Sequence, residues 1–377
     1  MNSLGTLLQS SKLVICVGSG GVGKTTTSAA LGLRAARDGK RVLVLTIDPA
    51  RRLANSLGLK RFGNDESRID LSTLPDAKGE LWAMMLDNRK TFDDLIGRLA
   101  PDPGTRDGIL TNRIYRAIAD NIAGSQDYMA TEKLHDVVLS GRYDLVILDT
   151  PPVKNALDFL ESPGRLARFL DKKVMKWFLD SPPQESRMLG RILAGTSSVV
   201  MKLLSYIFGE EFLRELTEFF VAFRDLYDGF RERHEAVVKL FHDHRTAFVI
   251  VCAPNEPSIE VARFFLDELR GRKMNNPGLI VNQRHVVKGL PADASAELGP
   301  FVASAAGGLP AQTDARLLAR LGSAHRRLRE LAIIEEGLVV PLSRLLRRDQ
   351  TLWSVPRLET EVHDLESLGR VGSRLCD

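Results

Sequence analysis

The sequence contains few cysteines and no long apolar run. Its three cysteines, Cys16, Cys252 and Cys376, lie far apart and form no C-x-x-C pair. A disulfide framework and a thiolate zinc site are therefore not indicated, so we expect a cytoplasmic protein without zinc. No stretch reaches the roughly 18 uninterrupted apolar residues of a membrane-spanning helix. The opening MNSLGTLLQSSK lacks the pattern of a secretory signal.

The charge of the chain is nearly balanced. Its 52 basic and 48 acidic residues give a formal net charge of +4, and the basic residues are not gathered into one stripe. Nucleic acid is therefore not an expected partner. With 377 residues, of which 44% are hydrophobic, the chain can bury a core large enough for one large α/β domain or two of ordinary size.

Buried strands and helices alternate along the chain. The run KLVICV at residues 12–17 predicts a strand, residues 24–37 predict a helix, and RVLVLTI at residues 41–47 predicts a second strand. Further strands are predicted at residues 143–148, 247–251, 279–282 and 338–342, with a helix at residues 258–272. This βαβ order is typical of a doubly wound α/β fold, in which a mostly parallel sheet carries helices on both faces.

The stretch GSGGVGKT at residues 18–25 fits the phosphate-binding pattern G-x-x-x-x-G-K-[ST]. Glycines between a buried strand and a helix let backbone N–H groups approach phosphates, and the helix N-terminus adds partial positive charge. In this pattern Lys24 neutralises the β and γ phosphates and the Thr25 hydroxyl binds Mg²⁺. The predicted nucleotide-binding residues here are Gly18, Ser19, Gly20, Gly21, Val22, Gly23, Lys24, Thr25 and Thr26.

Two aspartates follow predicted strands. Asp149 ends the strand at residues 143–148, where its carboxylate can reach Mg²⁺ through a water molecule. Asp48 ends the second strand at the same edge of the sheet, where it can orient or deprotonate an attacking water. The alternatives are a helix N-cap for Asp48, which is compatible with a catalytic role, and an ordinary turn carboxylate for Asp149.

These motifs together resemble the arsenite-pump and tail-anchored-protein-targeting ATPases, the ArsA/GET family of P-loop NTPases. The resemblance rests on GSGGVGKTTTSAALGLRAARDGKRVLVLTIDPARRLANSLGL, YDLVILDTPP and LIVNQ. It implies an ATP- and Mg²⁺-dependent, dimeric ATPase in which Asp48 acts on the attacking water. It assigns switch II to Asp149, Thr150, Pro151 and Pro152, and adenine contacts to Asn282 and Gln283. Pro341 resembles the proline of a further adenine-side loop, which would add a nucleotide-binding residue.

The sequence departs from this class at Ser19. Members usually carry a lysine there, which crosses the dimer interface to the partner's phosphates. A serine cannot cancel negative charge, so a homodimer is expected to turn over slowly, or a paralogous partner chain supplies the lysine in a heterodimer. Switch II is followed by Val153-Lys154-Asn155 instead of the T-G-H of the targeting ATPases. Coupling to the helical region can therefore differ.

Long helical periodicities interrupt the sheet pattern. We expect one P-loop ATPase domain over residues 1–377, whose core takes residues 1–87, 141–154 and 244–349. Helical subdomain insertions then occupy residues 88–140 and 155–243, and residues 350–377 form a C-terminal helix or tail. The apolar stretch at residues 187–230 either packs within the helical layer or forms a groove for an apolar ligand or partner helix, lined by Phe219, Phe220 and Phe223.

The expected function is an ATP-hydrolysing dimeric switch, in which nucleotide state rearranges a helical subdomain that binds an apolar client or a membrane-protein partner. One alternative is a nucleotide-dependent regulatory or binding module with little hydrolysis of its own. A second is the ATPase subunit of an anion or metalloid efflux system, although the three-cysteine metalloid cluster of the arsenite pump is missing. The acidic residues near the C-terminus disfavour a membrane-positioning ATPase.

Overall fold

The structure is a computed structural model. It describes residues 3–47, 53–54, 57, 63–74, 76–121, 125–151, 209–224, 226–286, 315–358, 362 and 364–376. Within these ranges the strands are β1 (Leu13–Val17), β2 (Arg41–Thr46), β3 (Ser67–Arg68), β4 (Glu80–Met85), β5 (Leu145–Asp149), β6 (Thr246–Cys252), β7 (Gly278–Arg284) and β8 (Thr351–Pro356).

The helices flank these strands in the chain. They are α1 (Leu4–Ser10), α2 (Lys24–Arg37), α3 (Asn88–Leu99), α4 (Pro103–Thr111), α5 (Arg113–Asn121), α6 (Ser125–Leu139), α7 (Glu210–Arg224), α8 (Tyr227–His242), α9 (Glu256–Gly271), α10 (Ala315–Ser343) and α11 (Leu365–Cys376). Within the described ranges, no helix has the length and apolarity needed to cross a bilayer.

The strands form one sheet in the order β3-β4-β2-β5-β1-β6-β7-β8. All neighbours are parallel except β3, which pairs with β4 in the antiparallel sense. Strands β1 and β5 are buried along their whole length, as expected where helices cover both faces of a parallel sheet. The predicted doubly wound P-loop fold is confirmed.

Successive residues of β1 contribute to two different cores. Leu13 and Ile15 face a core built with helices α3 to α10, whereas Val14 and Cys16 face a second core built with α1, α2 and α11. The period of two in a strand sends alternate side chains to opposite faces. The carboxyl ends of the parallel strands consequently meet at one edge, where the loops carry the candidate site.

One sequence prediction near the C-terminal end of the chain fails, and a second is incomplete. Residues 338–342 were predicted as a strand, but they continue helix α10. Val339 and Leu342 are buried while Pro341 is exposed, which is the spacing of a helix face. The expected terminal helix or tail at residues 350–377 contains an additional strand, β8, which pairs with β7, and α11, which packs on α2.

The aromatic stretch of α7 belongs to the core. Phe219, Phe220 and Phe223 are 2%, 4% and 1% exposed, and Phe223 stacks on Phe230 with ring centroids 5.6 Å apart. The groove hypothesis is therefore wrong for these three residues, and the alternative of packing within the helical layer holds. Residues 187–208 of the same apolar stretch lie outside the described residues.

Candidate nucleotide-binding site

The glycine-rich loop connects β1 to α2 and depends on glycine at both of its ends. A Cβ at Gly18 would clash with the backbone oxygen of Val251 on β6. Gly23, the N-cap of α2, has φ = 86°, and a Cβ there would clash with the amide of Asn282. Side chains rarely adopt this left-handed conformation, so only glycine suits the position. Between these ends, Gly20 and Gly21 are exposed.

Lys24 begins α2 and turns back under this loop. Its side chain is buried, and its ammonium donates hydrogen bonds to the backbone oxygens of Gly18 at 3.1 Å and Ser19 at 2.8 Å. The positive charge is therefore held at the start of the loop, beside the N-terminus of α2. A cation and helix N-terminal N–H groups together favour a phosphate. Thr26 lies on the same first turn and is half-buried.

Two hydroxyl side chains from separate elements converge on Asp149, the last residue of β5. The Thr25 hydroxyl donates to Asp149 Oδ2 at 2.6 Å, and the Thr46 hydroxyl at the end of β2 donates to the same oxygen at 3.0 Å. Asp149 is 1% exposed. A hydroxyl that donates its proton keeps lone pairs for a cation, and hydroxyl and carboxylate oxygens are the ligands that Mg²⁺ prefers.

The first residues of the predicted switch II are anchored to β1. The Thr150 hydroxyl donates to the Cys16 backbone oxygen at 2.7 Å, and Pro151 is half-buried. Ile47 donates its backbone N–H to the Asp149 backbone oxygen at 3.3 Å, which ties the end of β2 to the same place. The predicted catalytic Asp48 and the switch II residue Pro152 lie outside the described residues.

The predicted adenine-side residues end β7 beside the loop. Asn282 donates its side-chain N–H to the Val22 backbone oxygen at 2.8 Å. Gln283 is exposed and has φ = 60°, a conformation that costs a non-glycine residue about 1–2 kcal/mol. The pairing of β7 with β8 shifts register across these residues. Backbone strain of this kind is concentrated at ligand sites.

Pro341 does not belong to a loop at this edge. It lies inside helix α10, so the prediction that it forms an adenine-side loop is wrong. The proline that does end a strand here is Pro356, which closes β8 opposite Arg284 of β7. Both prolines follow short apolar runs, and only the pairing with β7 distinguishes them.

Ser19 is engaged within its own chain. Its hydroxyl shares a hydrogen bond of 3.0 Å with the hydroxyl of Ser258, which lies on the first turn of α9 and is 3% exposed. The Ser19 side chain itself is half-buried. Position 19, where the resemblance implies a lysine, therefore connects the loop to the first turn of α9.

The cysteines are poor metal ligands in this fold. All three are buried, and burial raises the pKa of the Cys16 and Cys252 thiols to about 12. A thiol with such a pKa stays protonated at neutral pH, while metal binding needs the thiolate. In the described ranges, no group of three or more histidine, cysteine or acidic side chains is arranged to hold a metal ion.

The family model for anion-transporting ATPases matches residues 11–295 of the chain. The chain belongs to this family. It is 29% identical to the ATPase GET3 of Podospora anserina over 267 residues and 30% identical to the ATPase GET3 of Paracoccidioides lutzii over 271 residues. Each match covers 71% of this chain and 71% of the relative. The family recognised from the sequence is thus confirmed, and membership supports an ATP-dependent function.

In this anion-transporting ATPase fold, two residues of the candidate site and one at a neighbouring strand end escaped the sequence prediction. Thr46 bonds to Asp149 from 103 positions away, and Ser258 bonds to Ser19 from 239 positions away. Pro356 ends a strand in what was taken for a tail. A hydroxyl at the end of the strand RVLVLT was the one available signal for Thr46, because strand ends meet at one edge of the sheet.

Proposed function

We propose that the protein hydrolyses ATP and that the reaction drives a switch between two conformations of a dimer. The observation that carries this proposal is the convergence of Lys24, Thr25 and Asp149 at one edge of the sheet. The Lys24 ammonium is hydrogen-bonded to the backbone of the glycine-rich loop, and the Thr25 hydroxyl is hydrogen-bonded to the Asp149 carboxylate. The family match supports the same activity.

Each residue has a role that follows from its position. The loop glycines leave room for phosphate beside backbone N–H groups, and Lys24 neutralises the β and γ phosphates. Thr25 would hold Mg²⁺ directly and Asp149 through a water molecule, while Thr46 fixes the orientation of the Asp149 carboxylate. The ion supplies charge neutralisation at the phosphates.

The remaining roles follow from the resemblance to the ArsA/GET family. Asp48 orients or deprotonates the attacking water, and the Asn282 and Gln283 side chains contact adenine. Switch II, residues 149–152, transmits the nucleotide state to a helical subdomain formed by residues 88–140 and 155–243. The Thr150 hydroxyl is hydrogen-bonded to the end of β1. A movement of Asp149 in response to the nucleotide is therefore transmitted to β1 through Thr150.

We place this ATPase in the cytoplasm, with an apolar protein segment or a membrane-protein partner as its client. The relatives, which are named ATPase GET3, support the ATPase part of this proposal. Since Phe219, Phe220 and Phe223 are buried in the core, the client surface is formed by other residues of the helical subdomain.

A second candidate is a nucleotide-dependent regulatory module that hydrolyses little ATP until a paralogous chain completes its site. Ser19 favours it, because a hydroxyl bonded to Ser258 supplies no positive charge to a partner's phosphates. An efflux function is supported only by the family description, anion-transporting ATPase. The buried thiols of Cys16 and Cys252 are unsuited to a metalloid site.

The deciding experiment is steady-state ATPase activity of the purified chain with Mg²⁺, beside an Asp48→Asn variant, with the mass measured in the apo and ATP-bound states. Turnover that depends on Asp48, together with ATP-driven dimerisation, supports the self-sufficient switch. Tight ATP binding with negligible turnover supports the second candidate. In that case Ser19→Lys should raise turnover of the homodimer by at least about tenfold.

A further inference from the structure

Ser258 is held rigidly on both sides. It occupies the first turn of α9, where its backbone N–H donates to the Oδ1 of the N-cap Asn255 at 3.0 Å. Its hydroxyl oxygen accepts the backbone N–H of Ala253 at 2.9 Å and shares the 3.0 Å hydrogen bond with Ser19. A side chain that is 3% exposed and fixed in this way makes a firm anchor.

The glycine-rich loop has a second anchor on its other side. The Asn282 side chain donates to the backbone oxygen of Val22 at 2.8 Å. Between the two anchored residues lie Gly20 and Gly21, which are exposed, and a Cβ at Gly21 would have nothing within 4 Å. The part of the loop that must meet the phosphates is thus held at its flanks rather than packed along its length.

The anchor at Ser19 also determines where Lys24 lies. The ammonium of Lys24 donates to the backbone oxygen of Ser19 at 2.8 Å, so a displacement of Ser19 moves an acceptor of the phosphate-binding lysine. An unanchored glycine-rich loop has many accessible conformations, and ordering it on binding costs affinity.

We propose that Ser258 is a positioning residue that holds the glycine-rich loop in its phosphate-binding conformation through Ser19 of the same chain. The proposal rests on the nucleotide-binding function proposed above and deepens it. It assigns to residue 19 a role within one protomer, in place of the charge that a lysine would carry to a partner. One chain alone should therefore bind nucleotide with a preordered loop.

The test is a double-mutant cycle on ADP affinity, measured by calorimetry without turnover, with Ser19→Ala, Ser258→Ala and the double variant. We expect each single substitution to weaken ADP binding by about three- to tenfold, the effect of losing one hydrogen bond. The double variant should bind ADP no more weakly than whichever single variant has the lower ADP affinity, because both substitutions remove the same hydrogen bond. Ser258→Thr, which keeps a hydroxyl, should restore most of the affinity.

Ser367→Ala is the matched control. Ser367 is 4% exposed, and its backbone N–H donates to Asp364 Oδ1 at 2.7 Å, as that of Ser258 does to Asn255. It lies on α11, away from the loop, so its substitution should lower stability without changing ADP affinity. If Ser258→Ala impairs folding, Ser19→Ala still removes the hydrogen bond between the two serines. Ser19 is half-buried in a loop, so its substitution should not impair folding.

The outcomes separate the two proposals. The positioning role of Ser258 would be overturned if the two single variants lost ADP affinity additively, or if they kept the wild-type affinity. Either result would leave the proposed nucleotide binding intact. Wild-type protein that binds neither ADP nor ATP would overturn the proposed function itself, and the positioning role of Ser258 with it.

Discussion

The sheet edge and the helical layer use the same kinds of polar side chain in opposite ways. At the sheet edge, Lys24 donates to backbone oxygens of a partly exposed loop. In the helical layer, Arg233 donates to two carboxylates, Glu132 and Asp136, and Glu132 is 0% exposed. Phosphate oxygens are stronger acceptors than backbone carbonyls, so a nucleotide can compete for the lysine. No such exchange is open to the arginine.

The surroundings of the two cations, Lys24 and Arg233, also differ. Glu132 accepts a further hydrogen bond from the Tyr128 hydroxyl at 2.7 Å, and the Tyr128 ring packs against Phe230. The helical network, formed by Arg233, Glu132, Asp136 and Tyr128, therefore has an aromatic ring beside its buried carboxylate, while the loop above Lys24 presents exposed glycines. Hence substitutions at the sheet edge should mainly change nucleotide affinity, and those in the helical network should mainly change stability.

Removing the cation of the helical network should have the largest effect. Arg233→Ala leaves Glu132 as a buried carboxylate without its cation, and the loss of one partner of a buried ion pair costs about 3–5 kcal/mol. We expect the free energy of unfolding to fall by this amount in urea denaturation, with ADP affinity unchanged in the folded protein.

Arg231→Ala is the control, because Arg231 forms an exposed pair with Asp228 at 3.4 Å and such pairs contribute about 0–1 kcal/mol. Equal losses of stability for the two arginine variants would show that the helical network is not the distinctive feature of this layer. A loss of ADP affinity confined to the Arg233 variant would show that the two regions are coupled.

Removing the cation of the sheet edge should have the next largest effect, but on binding. Lys24→Ala should weaken ADP and ATP binding by about 100-fold, because each hydrogen bond to a charged group contributes about 1.5–3 kcal/mol. Without nucleotide the free energy of unfolding should change by less than the binding free energy does, because the cost of burying the Lys24 ammonium offsets much of what its two hydrogen bonds contribute. Calorimetric titration and urea denaturation measure the two effects separately.

A lysine just before strand β2 supplies the control for that experiment. Lys40 donates to the backbone oxygens of Leu8 and Gln9, both at 2.7 Å, and so matches Lys24 in its bonding but lies away from the loop. Lys40→Ala should leave ADP affinity unchanged. If both lysine variants lost affinity to the same degree, the loss at residue 24 would reflect general damage to the sheet.

The sequence allowed most of the sheet and the loop to be predicted, because their signals are local. Strands β1, β2, β5, β6 and β7 were found to within a few residues from β-branched runs buried on both faces. Strand β4, ELWAMM, mixes buried and half-buried residues and has no β-branched residue, so it was missed. The loop was found because the glycine pattern lies between strand and helix.

The rest depended on tertiary contacts that no local pattern contains. The runs LVVP and LWSVP each end in proline, yet residues 338–342 follow the helix phase of α10 while Thr351–Pro356 pairs with β7. Likewise, nothing near Ser258 in the sequence indicates Ser19 as its partner. Sheet neighbours and long-range hydroxyl pairs are decided by packing of the whole chain, where local propensity is a weak guide.

The glycine that begins α2 offers a sharper test of the sheet edge. Gly23→Ala places a side chain at φ = 86° and against the Asn282 amide, which is the loop's anchor at Val22. We expect ADP binding to weaken by about tenfold, since the left-handed conformation alone costs about 1–2 kcal/mol. Calorimetric titration with ADP measures the loss.

Gly21→Ala separates strain from the clash. Gly21 also has a positive φ, 77°, but a Cβ there meets nothing within 4 Å. Its substitution should therefore weaken ADP binding by a smaller factor than that of Gly23. Equal losses would mean that backbone strain alone, and not the contact with Asn282, sets the affinity.

The smallest expected effect is a pH dependence of the free energy of unfolding, which arises from histidines of the helical layer. Burial, reinforced by Arg233 and Arg98 and opposed by Glu132 and Asp136, lowers the pKa of His135 below its ordinary value. Burial likewise lowers the pKa of His234. The unfolded chain therefore takes up these protons first, at the ordinary histidine pKa of about 6.5. The stability that the neutral rings contribute is present above this pH and is lost as the pH falls toward the folded-state pKa values.

Replacing the ring tests this assignment. His135→Gln cannot titrate, so its free energy of unfolding should fall less steeply between pH 7 and pH 5 than that of the wild type, as followed by urea denaturation. His244→Gln, at an exposed position, controls for the substitution itself. If ADP affinity of the folded protein followed the same pH profile and flattened in the His135 variant, the helical layer and the sheet edge would share one titrating network. If the ADP affinity is the same in the His135 variant as in the wild type, the helical layer and the sheet edge titrate independently. Their separate hydrogen-bond networks predict this result.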